Sequence, residues 1–570
     1  MSDAIIQFHN FSFQYHAQSA PTLHEIDLEI RKGEKLLICG PSGCGKSTLA
    51  HCINGLIPFS YKGEISGSLT IGGRESRELG IFEISHTVGT VLQDTDGQFV
   101  GLTVAEDIAF APENDCVGEP ELHERVAAAA SLVGMADFLS HAPGQLSGGQ
   151  KQRVSLAGIL VDKVDVLLFD EPLANLDPAT GKQAIELIDE IQRETGAAVV
   201  IIEHRLEDVL WRHVDRVVLM NGGRILSDSS PEELLCGGLL AENGIREPLY
   251  LAALRYAGAA PRCDMRPASI RTLALTEEDK RRVRDWYRAM PESPAREARP
   301  VLLEARSLRF AYPGARRALE DVSLRVEQGE LIAIVGTNGA GKSTFSKVVC
   351  GFETQQAGTL AFTGCDWASL SIKERADHVG YVMQNPNQMI SQVMIYDEVA
   401  LGLRTRGVSE DEIRPRVEDT LKICGLWPFR NWPVSALSFG QKKRVTVASI
   451  LVLEPEMIIL DEPTAGQDYR HYTEIMEFLR TLNARGVTVV MITHDMHLML
   501  EYAERAVVFS AGRVIADDSS AGVLTSPEVI ARANLKETSL YDLAQLCGID
   551  DARGFVQRFV DYERREVRGK

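Results

Sequence analysis

Two stretches place residues at a spacing suited to phosphate chemistry. Gly40, Gly43, Gly45, Lys46, Ser47 and Thr48 recur in the same order as Gly336, Gly339, Gly341, Lys342, Ser343 and Thr344. In such a loop the glycines let backbone N–H groups close around phosphate oxygens, and the helix that follows adds a partly positive end. Lys46 and Lys342 supply a point charge. Ser47 and Ser343 offer a hydroxyl to Mg²⁺, with water and phosphate oxygens completing the octahedron. Cys44 lies inside the first loop, so its thiol is expected to be reachable by a maleimide when the loop is empty.

Further along, the apolar runs 166–169 and 457–460 end in Asp170-Glu171 and Asp461-Glu462. Open α/β sheets bind ligands at such strand ends. The first carboxylate of each pair suits a water-mediated Mg²⁺ contact. The second, one residue on, suits a general base for water attacking a γ-phosphate. His204 and His494 also follow apolar strands and can hold the γ-phosphate and the attacking water. Recurrence at one register favours that role over a structural one. Gln93 and Gln384, downstream of each lysine, can reach Mg²⁺ or the water. Tyr15 and Tyr312 lie where a base would sit; stacking on adenine and core packing both fit.

These residues need a scaffold that occurs twice. The lysines are 296 residues apart, the Asp-Glu pairs 291 and the histidines 290. A near-constant offset marks a duplicated domain, with about five extra residues in a loop of the first copy. The copies span roughly 1–235 and 300–525. A proline-bearing bridge, 236–299, joins them, and its mixed-charge middle, 277–288, reads as an exposed helix. Residues 526–570 read as a short helical extension in which Phe555 and Phe559, four apart, bury one face. Within each copy, continuous apolar runs predict strands buried on both faces, hence an α/β fold with a mostly parallel sheet.

Composition bounds the rest. The 570 residues carry 60 Lys and Arg against 80 Asp and Glu, a net charge of −20. That disfavours bulk electrostatic binding to nucleic acid or an anionic bilayer. No apolar run approaches the roughly 20 residues of a membrane span, and no basic-then-apolar leader opens the chain. The ten cysteines are scattered without a C-x-x-C pair, which reads as reduced thiols and neither a disulfide frame nor a zinc site. A soluble, intracellular protein is expected, with any membrane work done through partners.

The stretches Leu146-Ser147-Gly148-Gly149-Gln150 and Leu437-Ser438-Phe439-Gly440-Gln441, placed between phosphate loop and Asp-Glu pair, complete a motif order that resembles the ABC ATPases twice over. The resemblance implies two P-loop NTPase nucleotide-binding domains in tandem, each with a helical subdomain, hydrolysing ATP with Mg²⁺. It also implies a head-to-tail pseudo-dimer within the chain. One composite site would join Tyr15, Lys46, Ser47, Gln93, Asp170, Glu171 and His204 to Ser438, Gly440 and Gln441. The other would join Tyr312, Lys342, Ser343, Gln384, Asp461, Glu462 and His494 to Ser147, Gly149 and Gln150. Asp177 and Asp468 would cross the seam. Phe439 departs from the pattern, yet the flanking Ser438 and Gly440 remain, so both sites are expected to hydrolyse ATP.

The segments after Gln93 and Gln384 resemble those of energy-coupling-factor importers, and the stretches 246–250 and 534–538 resemble fused ATPases linked to thiamine-precursor uptake. That implies a peripheral protein on the cytoplasmic face of the cell membrane. Its partners would be a transmembrane coupling subunit and a small substrate-binding membrane subunit, and its solute a vitamin or other micronutrient. Phe99, Val100, Leu102, Met389, Ile390, Val393 and Met394 would line the grooves for the coupling subunit, ordinary core being the other reading. Two alternatives stay open. A ribosome-acting two-domain protein usually has a long basic arm, whereas 266–300 holds nine basic and six acidic residues. A fused sugar-importer ATPase usually has one degraded site, whereas both Glu171 and Glu462 are present.

Overall fold

The computed structural model describes residues 4–92, 95–173, 176–292, 298–314, 317–464 and 469–567. By contact density the chain divides into two units, Met1–Asp279 and Lys280–Lys570, taken here one at a time.

In the first unit, the strands are β1 (Ala4–Tyr15), β2 (Leu23–Arg31), β3 (Lys35–Cys39), β4 (Gly63–Ile71), β5 (Arg74–Glu75), β6 (Val88–Val91), β7 (Val166–Asp170), β8 (Ala198–Ile202), β9 (Arg216–Asn221) and β10 (Arg224–Ser229). Six of them form a sheet in the order β10-β9-β3-β8-β7-β6, parallel except that β10 runs antiparallel to β9. Both β3 and β8 are buried at every position, as continuous apolar runs require. A second, antiparallel sheet runs β2-β1-β4-β5. Along β2, buried and exposed residues alternate from Ile26 onward, so one face closes on the core.

The second unit repeats the plan with β11 (Val301–Ala311), β12 (Arg317–Glu327), β13 (Leu331–Gly336), β14 (Ala357–Phe362), β15 (Cys365–Asp366), β16 (Val379–Val382), β17 (Met457–Asp461), β18 (Thr488–Ile492), β19 (Arg505–Ser510) and β20 (Arg513–Asp518). Its sheets run β16-β17-β18-β13-β19-β20 and β12-β11-β14-β15.

Each unit also has a helical part. Helices Val104–Asn114, Glu119–Leu132 and Gly148–Leu160 pack together in the first, and Ile395–Thr405, Glu410–Ile423 and Phe439–Leu451 in the second. The latter set has a core of its own, built on Val399, Leu403, Val417, Leu421 and Val445.

The bridge does not hang free. The Tyr250 hydroxyl donates to the Pro267 carbonyl at 2.7 Å, and the Leu249 N–H donates to Glu207 at 3.1 Å. Arg271 stacks 3.3 Å from the Trp211 ring centre. The helix Glu277–Ala289 forms where mixed charge suggests it, but one side is covered. Val283 is buried, and Trp286 packs edge-on against Phe555 and Phe559. Those two rings are buried as their spacing predicts, each burial contributing about 1.5–3 kcal/mol. The expected exposure fails on this side because Trp286 finds its partners only some 270 residues on. Among the described residues no helix is long and apolar enough to cross a membrane.

Candidate functional site

The phosphate loop of the first unit follows β3 and leads into the helix Lys46–Ile53, with Gly45 at φ 104° as the residue before it. Gly40 passes so close to the Met220 carbonyl that a Cβ would collide with it, and Gly336 stands likewise against Phe509. Glycine is needed at both places for close approach. The Lys46 ammonium is buried and donates to the Gly40 and Pro41 carbonyls at 2.8 and 3.0 Å. Lys342 does the same to Gly336 and Thr337, at 2.8 Å each. Each lysine thus closes its own loop. Cys44 is only 3% exposed. The expected maleimide access is therefore corrected, because the loop wraps this side chain inward, 4.0 Å from the Lys46 nitrogen.

Strand register brings the acidic pairs to the loops. Asp170 stands level with Ile202 on β8, which stands level with Ile38 of β3, just before the phosphate loop. Asp461, Ile492 and Ile334 are arranged alike. The glutamates that follow adopt an unexpected backbone. Glu171 has φ 51° and Glu462 φ 47°, a left-handed conformation that costs a non-glycine residue about 1–2 kcal/mol. It occurs although Pro172 and Pro463 bias the preceding residue toward extended backbone. In return the Glu171 N–H reaches the Ile202 carbonyl at 2.9 Å, and the Glu462 N–H reaches Ile492 at 3.0 Å. The turn also sets each carboxylate against its histidine. Glu171 Oε1 lies 2.8 Å from His204 Nε2, and Glu462 Oε1 lies 3.3 Å from His494 Nε2.

The electrostatics differ between units. Burial pushes the Asp170 carboxyl up to about 6, with Glu171 adding to the rise. Burial also acts to raise Glu171, but the hydrogen bond and charge of His204 outweigh it, and that carboxyl sits below its ordinary value. In the second unit burial, followed by Asp461, pushes the Glu462 carboxyl up to about 8. The fit to a Mg²⁺ water shell is good in the first unit. Asp170 Oδ1 is buried without a hydrogen-bond partner among the described residues, and a carboxylate oxygen of that kind matches the hard donors Mg²⁺ takes. In the second unit, Tyr381 donates to Asp461 Oδ2 at 2.9 Å, leaving less of that carboxylate open.

Tyr15 packs edge-on against Phe13, with ring centres 4.7 Å apart, and shares a hydrogen bond with Thr48 at 3.1 Å. Tyr312 pairs with Phe310 and Thr344 in the same way, at 4.9 and 3.5 Å. Ser147 and Ser438 cap the helices Gly148–Leu160 and Phe439–Leu451 in reciprocal bonds with Gln150 and Gln441. Phe439 is 42% exposed at the helix start. A Cβ at the matching Gly148 would meet nothing within 4 Å, so the larger residue is accommodated. Asp177 is buried and caps the helix Pro178–Thr195 through Thr180. Gln384 lies exposed in the bend after β16. Gln93 and Asp468 lie outside the described residues.

Several neighbours were not picked out by motif. From the helix that each Ser caps, Gln152 donates to the Pro172 carbonyl at 2.8 Å, and Lys443 donates to the Glu462 carbonyl at 2.5 Å. Each ties a signature helix to the glutamate turn of its own unit. Lys443 is 3% exposed, and burial lowers its ammonium to about 8. Glu203 is buried and accepts from the N–H groups of Leu173 and His204, where the second copy has Thr493. The available signal was disagreement between otherwise matching repeats, at 152/443, 203/493 and 90/381.

A family model described as ABC transporter matches residues 23–174 and again 319–465, over half of the chain. The chain belongs to the ABC transporter ATP-binding proteins. Its two domains bind ATP and are ATPases. A putative ABC transporter ATP-binding protein of Clostridium perfringens is 56% identical over 561 residues, covering 98% of this chain and 99% of that one. Others from Enterococcus faecalis and Vibrio parahaemolyticus are 55% identical over all of both chains and 53% identical over 98% of this chain and 96% of that one. A model described as ATP-binding cassette cobalt transporter matches residues 237–310 of this ABC protein. Among solved structures, cbiO1 from Clostridium perfringens, described as part of the ABC transporter complex cbiONQ, is 34% identical over 41% of this chain and 95% of its own, with a TM-score of 0.38.

Proposed function

We propose that this ABC ATPase energises an importer of the energy-coupling-factor type by closing and reopening its two domains around ATP. The observation that carries the reading is a pair of exposed apolar loops, one after each of the edge strands β6 and β16. Val100 and Leu102 are 63% and 81% exposed in one, and Val393 is 74% exposed in the other. Neither loop is slack. Asp107 accepts from the N–H groups of Val100 and Gly101, and Glu398 accepts from those of Ser391 and Gln392. A rigid apolar ledge fits a helix of a membrane coupling subunit, with Phe99, Met389, Ile390 and Met394 beside it. A small membrane subunit would bring the solute, and the protein would sit peripherally at the cytoplasmic face. The solute is a micronutrient. The cobalt transporter description matched by the bridge favours cobalt as a second reading beside a vitamin.

For chemistry, Glu171 and Glu462 serve as general bases for the attacking water, and His204 and His494 orient them. Lys46 and Lys342 leave their loop carbonyls for phosphate oxygens. Ser47 and Ser343, with Gln93 and Gln384, would hold Mg²⁺, and Asp170 and Asp461 would hold it through water; the ion would offset charge on the phosphates. Ser147, Gly149 and Gln150, and Ser438, Gly440 and Gln441, complete the opposite copy's site only on closure, so hydrolysis is gated by it. Asp177 and Asp468 couple the two sites across the seam. The test is co-purification from membranes. Wild-type protein is expected to bring down one or two small apolar subunits, and Leu102→Glu with Val393→Glu is expected to release them while ATP binding persists. Ribosomes in the pull-down, with no membrane protein, would overturn the reading.

A further inference from the structure

The described cysteines are all free thiols, but two of them stand apart from the rest. Cys236 and Cys263 bring their sulfurs to 2.9 Å, although 26 residues lie between them in sequence. A disulfide bond measures about 2.05 Å, so less than about 1 Å of closure separates the pair from bonding. Six others, Cys39, Cys44, Cys52, Cys350, Cys424 and Cys547, are buried, while Cys116 and Cys365 are exposed without a second thiol recorded beside them.

The fold holds this pair in place. Cys236 ends the helix Pro231–Cys236, which Ser230 and Glu233 cap reciprocally. Arg255 donates to the carbonyls of Leu235 and Gly237, at 3.3 and 2.6 Å, fixing the backbone on both sides of Cys236. Cys263 opens the turn Cys263–Met265, anchored by buried Met265 and by Arg262, which pairs with the largely buried Asp279 at 3.3 Å. Cys263 is exposed and Cys236 half-buried, so a small reagent meets Cys263 first. Burial and the neighbouring Cys263 push the Cys236 thiol up to about 12.

We propose that Cys236 and Cys263 form a reversible dithiol–disulfide site that ties the end of the helix Pro231–Cys236 to the turn Cys263–Met265. The oxidant is a low-molecular-weight disulfide. The Cys263 thiolate attacks one of its sulfurs, and one thiolate leaves. Cys236 then gives its proton to water and attacks Cys263 Sγ, expelling the second thiolate. Two protein thiols and one small disulfide become one protein disulfide and two small thiols. The closed loop spans 237–262 and contains the helix Leu249–Tyr256, which is anchored on Glu207 of the ATPase fold.

The test uses the full chain and oxidised glutathione, followed by peptide mass mapping. Wild-type protein is expected to lose two thiols and yield a cross-linked 236/263 peptide without bound glutathione, reversed by dithiothreitol. Cys236→Ser should instead retain glutathione on Cys263. Stable glutathione on wild-type Cys263 with no cross-link would overturn the proposal. So would a cross-link that forms no faster than glutathione adds to Cys116 and Cys365.

Discussion

The two ATP sites share one backbone plan and differ in what surrounds it. In both, a lysine closes its loop, an aspartate ends a strand, and a glutamate in a left-handed turn faces a histidine. Around that frame the first site has Gln152, Glu203 and Thr90, where the second has Lys443, Thr493 and Tyr381. Glu171, 2.8 Å from His204, is held below its ordinary value by that histidine's bond and charge, while Glu462, 3.3 Å from His494, is pushed up by burial and by Asp461. With two domains fused into one chain, the neighbours have diverged while the repeated Lys, Asp, Glu and His keep their places.

The comparison breaks first on the bases. Glu171→Gln with Glu462→Gln should lower ATP turnover by about 10²–10⁴-fold. Near wild-type turnover in either single variant would remove that site from the cycle. Next comes the signature glycine. A Cβ at Gly149 would stand 2.6 Å from Thr180 Cγ2, and Thr180 is tied to Asp177. Gly149→Ala should therefore destabilise the first unit by about 1–3 kcal/mol. Gly148→Phe, which copies Phe439, should stay within about 0.5 kcal/mol. Calorimetry of both variants decides it, and equal losses would mean that Phe439 is not simply accommodated.

A comparable effect is expected at the helix-to-turn ties. Lys443→Ala leaves the Glu462 carbonyl unpartnered and should cost about 1–3 kcal/mol in a denaturant titration, whereas Lys443→Gln should recover most of it. If the two variants match, the tie contributes little. The smallest effect is expected at Tyr381. Tyr381→Phe opens Asp461 toward the state of Asp170, and the Mg²⁺ concentration for half-maximal ATPase should fall a few-fold. No change would show that the tyrosine leaves metal access alone.

The sequence was informative where chemistry sets local spacing. The phosphate loops, the Asp-Glu pairs and the strand-end histidines all fall where motif spacing and buried apolar runs put them, because a backbone cradle and a strand end are local objects. It was less informative where a side chain depends on a distant partner. Mixed charge makes the helix 277–288 read as exposed, yet Phe555 and Phe559 pack on its Trp286, and Cys44 reads as accessible, yet the loop turns it inward.

The duplicated α/β plan and the family were already legible in the chain, since both follow from repeated short patterns. Tertiary structure decided the left-handed glutamates, the unequal settings of Glu171 and Glu462, the Lys443 tie and the meeting of Cys236 with Cys263. Each of these depends on burial and on contacts between residues far apart in the chain, and no local spacing encodes them.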